Sequence, residues 1–221
     1  MGKRCALRKA ATIFAVLLAL SGCAGQEKAA AWEGNDNSIY IQKDGKVESA
    51  LVYSSAQPNE YYRQDELSVL VEEVVASYNK EKGARASAHN SESGETLPVG
   101  LVACSLEGRT GRLVFEYSSP AEYLAFAETT NDDTNSVTAL AVSSLADAIA
   151  AGAPQSAELV RPDGSAAGKI RKPEKYVAVA VEGEATIYTE GKIIWISSGV
   201  AVEGDYRART GEGVNYIVFK R

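Results

Sequence analysis

Residues 38–42 and 47–53 are two short extended runs rich in Ile, Val and Tyr, and Lys43-Asp44-Gly45-Lys46 lies between them. Asp-Gly between such runs predicts a β-hairpin, because both central residues of the tight turn need a positive φ. Past Pro58 the period changes. Leu67, Leu70, Val71, Val74, Val75 and Tyr78 recur at helical spacing while Asp65, Glu66, Glu72, Glu73 and Lys80 fall elsewhere. This predicts an amphipathic helix that turns the six apolar side chains to the core and stops at Gly83. Residues 84–96, rich in Ala, Ser, Asn and Gly, read as a loop. A second hairpin follows over residues 99–106 and 112–117, turning through residues 108–111. Ser119-Pro120-Ala121-Glu122 is a capping box with proline at the first helical position, and the helix it opens offers Tyr123, Leu124 and Phe126 to the core.

Hairpin plus helix thus occurs twice, and Tyr53-Ser54-Ser55 echoes Tyr117-Ser118-Ser119 at the same place in each unit. Residues 131–135 form an acidic turn, and the Ala- and Leu-rich residues 140–151 read as a further helix closed by Gly152. From residue 157 the pattern is extended: strands are expected at 157–161, 176–182, 185–189, 192–197 and 214–220. Turns at Pro162-Asp163-Gly164, Gly183-Glu184 and Glu190-Gly191 separate the first four, and so close a spacing points to an antiparallel meander. The apolar run Tyr216-Ile217-Val218-Phe219 should be paired inside a sheet although it lies almost at the last residue. The fold expected is α+β: a mainly antiparallel sheet with two hairpin-plus-helix units over residues 38–152, and a C-terminal β-meander over 153–221 packed on them as one domain.

The first 22 residues have a different character. Lys3, Arg4, Arg8 and Lys9 precede an apolar run over residues 10–20, the pattern of a secretory signal peptide. Eleven residues are too few to span a bilayer, which takes about 20. Leu20-Ser21-Gly22-Cys23 ends this run and resembles the lipobox of bacterial lipoproteins. The resemblance implies cleavage between Gly22 and Cys23 and a diacylglyceryl group on the Cys23 thiol, a membrane anchor with no transmembrane helix. Two acyl chains suffice for stable anchoring at about 0.8 kcal/mol per buried CH₂. Residues 23–37 then read as the lipidated cysteine and a polar tether, reaching roughly 20 Å if flexible. Trp32 within it has two readings, a contact with the lipid interface or a contact with the domain.

Charge and cysteine narrow the chemistry. The chain carries a formal charge of −6, and its first 22 residues hold four cations and no acid, so the remainder is more acidic still. That balance argues against nucleic acid as a partner and against an anionic lipid surface, since both require a basic face. With Cys5 in the signal segment and Cys23 lipidated, Cys104 is the one remaining thiol, so no disulfide forms within the domain. Cys104 sits in an apolar run and reads as a buried, inert side chain. One histidine, His89, leaves neither a zinc site nor a Ser-His-Asp triad at any recognised spacing. Residues 164–169 end like a phosphate loop but are one residue short, and Ile170 stands where Ser or Thr must hold magnesium. Ser77-Tyr78-Asn79-Lys80 matches the S-x-x-K pattern of β-lactamases but closes a helix instead of opening one. Asn131, Asp132, Asp133 and Asn135 lack the order and glycine of a calcium loop. No cofactor or metal is expected.

Tyr61-Tyr62 ahead of Asp65-Glu66-Leu67, the strand Gly191-Lys192-Ile193-Ile194-Trp195-Ile196-Ser197 and the closing Tyr216-Ile217-Val218-Phe219-Lys220 are similar to lipoproteins of clostridia-like Firmicutes. That resemblance implies a Gram-positive membrane surface and carries over no activity. The expectation is a membrane-anchored extracytoplasmic lipoprotein, a noncatalytic binding or cell-envelope interaction module. The alternatives are a solute-binding subunit of a transporter and a carboxylate-dependent hydrolase of glycan or cell-wall material. Tyr61, Tyr62 and Tyr206 are the candidate ligand-binding side chains; Trp195, inside an apolar strand, reads as core.

Overall fold

The computed structural model describes residues 32–55, 63–91, 94, 96–155 and 158–221. Gly22, Cys23, Tyr61 and Tyr62 lie outside the described residues. Both expected hairpins form: β1 (Ser38–Ile41) with β2 (Val47–Ser54), and β3 (Val99–Glu107) with β4 (Thr110–Tyr117). Gly45 takes the positive φ that the first turn requires, 91°. After each hairpin comes a helix, α1 (Gln64–Glu81) and α2 (Pro120–Thr130). Beyond them lie β5 (Ala139–Ser144), α3 (Leu145–Ala150), β6 (Leu159–Val160), β7 (Tyr176–Glu182) and β8 (Thr186–Thr189). The chain closes with β9 (Ile193–Ser197), β10 (Ala201–Val202), β11 (Arg207–Arg209) and β12 (Val214–Lys220).

These strands build two sheets whose inner faces share one core. The first runs β10-β11-β8-β1-β2-β4-β3 and the second β5-β7-β12-β9-β6. Every ladder is antiparallel except β1 with β8. Ile39, Ile41, Val47, Phe115 and Tyr117 of the first sheet meet Val177, Val179, Ile217 and Phe219 of the second, all nearly or fully buried. A smaller cluster, Leu145, Leu159, Ala178, Trp195 and Val218, fills the outer face of the second sheet. The α+β expectation, dominated by antiparallel sheet, is what the structure shows.

The C-terminal meander is not formed. After β7 in the second sheet the chain crosses to β8 in the first, returns to β9, crosses again to β10 and β11, and returns to β12. The glycines read as hairpin turns mark corners where two backbones approach closely. A Cβ on Gly183 would stand 1.9 Å from the Ser136 carbonyl oxygen, and one on Gly191 would stand 1.8 Å from that of Lys220. Interleaving of this kind packs strands from both halves of the described chain around one core. The final strand is central to its sheet, paired with both β7 and β9.

Three local expectations also change. Residues 139–144 are strand, not helix: the ladder with β7 overrides helix-favouring composition. Helix α3 begins only where Ser144 Oγ accepts the Asp147 N–H at 3.1 Å. On α1, Val71, Val75 and Tyr78 are buried as expected, but Leu70 and Val74 are 57% and 40% exposed. The reason is that α1 lies along the open edge of β3, and only the flank turned to the sheet is covered. Residues 32–37, finally, read as part of the tether, are docked on the domain. The Trp32 ring stacks on Tyr40 at 5.1 Å, Arg112 donates to the carbonyls of Glu33 and Gly34, and Asn37 Oδ1 accepts the Val52 N–H at 2.6 Å. Residues 32–37 are thus a strap on the outer face of the first sheet.

Candidate functional site

Strand alternation explains where the molecule stays open. On the inner face of the first sheet, Ser49 pairs with Phe115, Leu51 with Leu113 and Tyr53 with Gly111, while Cys104 and Leu106 face Leu113 and Gly111 from β3. The rows at Val47 and Ser49 are covered by the second sheet and α2; the rows at Leu51 and Tyr53 are only partly covered or exposed. Leu51, Leu67, Leu106 and Leu113 line a cavity of about 480 Å³ there, at the end of the sheet that carries the β3–β4 turn. Gly111 contributes floor without a side chain: an added Cβ would meet nothing closer than the Tyr53 carbonyl oxygen at 4.0 Å. An apolar concavity of this volume with a few polar groups at its mouth is the usual form of a small-molecule site.

Arg109, Asp132, Asp133 and Thr134 form the mouth. The residues after α2 are shaped locally: Asn131 adopts φ 51°, ψ 44° as the helix cap, and Asp132 Oδ1 accepts the Thr134 N–H at 2.9 Å and hydroxyl at 2.6 Å. The acidic turn therefore satisfies its own donors. Among the described residues no group of three or more His, Cys, Asp or Glu side chains is placed to hold a metal.

Two other clefts differ in chemistry. One of about 450 Å³ is lined by Arg207 and Arg209, whose charges are spent internally: Arg207 pairs with Asp36 at 2.8 Å and Arg209 with Glu203 at 3.0 Å. The other, about 370 Å³, holds Glu48 and Glu116 directly opposite each other across the β2–β4 ladder. Burial, and then the Glu116 charge, push the Glu48 carboxyl above the ordinary glutamate range, against the lowering effect of a hydrogen bond from Gln42. Asn90 Nδ2 donates to Glu116 at 2.6 Å. Tyr40, next to Glu48 on β1, is pushed up to about 12 by burial and by Glu190 and Glu48.

Of the candidate ligand-binding side chains, Tyr206 alone lies within the described residues. Tyr206 is half-buried ahead of β11, apart from the leucine cavity, and its backbone carbonyl accepts the Thr189 N–H. Trp195 is 6% exposed, packed edge-on against Tyr176 at 4.7 Å, as a core residue should be. Cys104 is half-buried, not fully buried, with the Ser68 hydroxyl 3.7 Å from its sulfur; His89 engages Leu101 O and Glu72 instead. Ser77 and Lys80 are both exposed near the end of α1. The leucine cavity itself escaped the sequence reading, because Leu51, Leu106 and Leu113 carry the same alternation as core residues. The one available sign was Gly111 inside a strand, where glycine often marks a close approach or an opening.

No family model, curated protein or solved structure matches the chain.

Proposed function

We propose that this chain is a lipoprotein of the extracytoplasmic membrane face, held by a diacylglyceryl group on Cys23, whose domain is a noncatalytic binding module. Its ligand has an apolar body and enters the cavity between β2, β4 and α1. The leucine-lined cavity with its charged mouth carries this reading, and the lipobox pattern of residues 20–23 supports the anchor. A thermal-shift screen of the chain from Ala24 onward, across apolar and amphipathic small molecules, tests the binding half. A ligand that saturates the native state at about 100 times its Kd stabilises it by about 2.7 kcal/mol, so a rise of several degrees is expected. Absence of any shift across the series contradicts it. Detergent phase partitioning tests the anchor: the wild type should enter the detergent phase and Cys23→Ala should leave it, and identical behaviour of the two would contradict lipidation.

A second reading, hydrolysis by paired carboxylates, is favoured by Glu48 and Glu116. Residues directly opposite on an antiparallel ladder hold their Cβ atoms about 5 Å apart. Side chains so placed can bring their carboxyl groups to the separation of retaining glycosidases, about 5 to 5.5 Å, and the pair has one member raised by its surroundings. Glycan hydrolysis abolished in Glu116→Gln would carry it.

A further inference from the structure

The net acidity of the chain conceals a basic end. Lys169, Arg171, Lys172 and Lys175 fall within seven residues on the approach to β7, all exposed. Lys220 joins them, since β12 pairs Lys220 with Tyr176 and the Arg221 N–H donates to the Lys175 carbonyl at 3.1 Å. Glu174 is the one acid within residues 169–175. Among the described residues, none of these five cations takes part in an ion pair. Two ion pairs adjoin this end: Lys192, whose carbonyl accepts the Lys220 N–H at 3.0 Å, pairs with Asp205, and Lys43 pairs with Glu190.

The chain enters the domain at the same end. Lys220 packs on Gly191, the Glu190 N–H donates to the Ile41 carbonyl at 3.0 Å, and Tyr40, one residue before Ile41, carries the Trp32 ring. From Trp32 the strap runs away from this end toward Val52, so Trp32, the first described residue, sits on the basic side. Only eight residues separate Cys23 from Trp32. Fully extended they reach about 30 Å. The leucine cavity opens at the opposite end of β2, seven residues or about 23 Å away.

We propose that the basic end of the domain, centred on Lys169, Arg171, Lys172, Lys175 and Lys220, lies against an anionic lipid surface, with the cavity facing away from the membrane. This rests on the anchoring reading above, because the short tether is what brings that end to the bilayer. Phosphate headgroups neutralise these five exposed cations, and an acidic body behind them is repelled outward. Near such a surface each Lys or Arg contributes about a fivefold gain in binding.

The test compares the chain from Ala24 onward with the same chain carrying Lys169→Gln, Arg171→Gln, Lys175→Gln and Lys220→Gln. Each is sedimented with vesicles of phosphatidylcholine, alone or with one-third phosphatidylglycerol. The parent should bind the anionic vesicles at least tenfold more tightly than the neutral ones, with the excess lost in 0.5 M salt, roughly three times the physiological ionic strength at which the Debye length is about 8 Å. The four-site variant should lose the excess while melting at the parent's temperature; should it melt lower, Lys169→Gln with Arg171→Gln replaces it. An excess that survives in the variant overturns the proposal. So does binding of inorganic polyphosphate without any preference for anionic vesicles, which would assign the face to a soluble phosphate polymer. Neither protein carries acyl chains, so this result stands or falls apart from the phase-partitioning test of the anchor.

Discussion

Glu48 and Glu116 face each other across a ladder with neutral amides, Gln42 and Asn90, as their hydrogen-bond donors. Like charges directly opposed on a sheet cost stability. Because burial and Glu116 raise the Glu48 carboxyl, the native state holds that proton more tightly than the unfolded chain does. Its stabilising contribution is fully present below the ordinary glutamate value of 4.5 and is lost as pH rises through the raised value. Glu48→Gln should therefore raise the thermal midpoint at pH 7 by a few degrees and flatten the profile above pH 4.5; a lower midpoint at pH 7 would contradict this. None of it was legible in the sequence. Glu48 and Glu116 are 68 positions apart, and only the β2–β4 register opposes them. Glu122 shows the same limit: Ser119 Oγ accepts the Glu122 N–H at 3.3 Å as the capping box requires, but the carboxylate takes the Tyr78 hydroxyl at 2.7 Å, a partner on α1.

Elements were more legible than their surroundings. β7 and β12 fall where alternation places them, and α1 begins three residues ahead of its apolar stripe. What alternation does not convey is the neighbour. α1 guards the edge of β3 with two side-chain amides: Gln64 bonds Cys104 O and Leu106 N near one end, and Asn79 bonds both the N–H and the C=O of Val99 at the other. Fifteen helical residues at 1.5 Å and seven strand residues at 3.3 Å both span about 23 Å, so the two elements match in length. An unpaired edge would otherwise be open to association. Asn79 is fully buried and also donates to Ser87 O at 2.8 Å. Asn79→Ala leaves three backbone groups without partners and should cost about 3 kcal/mol in urea unfolding, against about 1 kcal/mol for Gln64→Ala at the exposed end. Equal costs below 1 kcal/mol would contradict the edge-guarding role. Leu70 and Val74 illustrate the converse: their spacing is that of core residues, and only the placement of α1 at an edge leaves them exposed.

At the scale of the molecule, interleaved strands bring the two halves of the chain into one core, and the ends of that body differ. One end gathers the exposed cations Lys169, Arg171, Lys172, Lys175 and Lys220; the other opens the leucine cavity. Net charge could not reveal the first, since acids elsewhere outweigh it, and apolar alternation could not separate the cavity leucines from the core. The binding claim rests on the cavity, and Gly111 offers direct access to it. Its φ lies outside the left-handed range and its missing side chain faces open space, so a leucine fits there and fills the volume without straining the turn. The measurement is equilibrium titration of the neutral apolar fluorophore Nile red into wild type and Gly111→Leu, with thermal midpoints recorded alongside. The wild type should show saturable uptake at one site, and Gly111→Leu should bind at least tenfold more weakly with an unchanged or higher midpoint. Equal uptake by both proteins, or no saturable uptake by the wild type, would contradict a ligand site in this cavity.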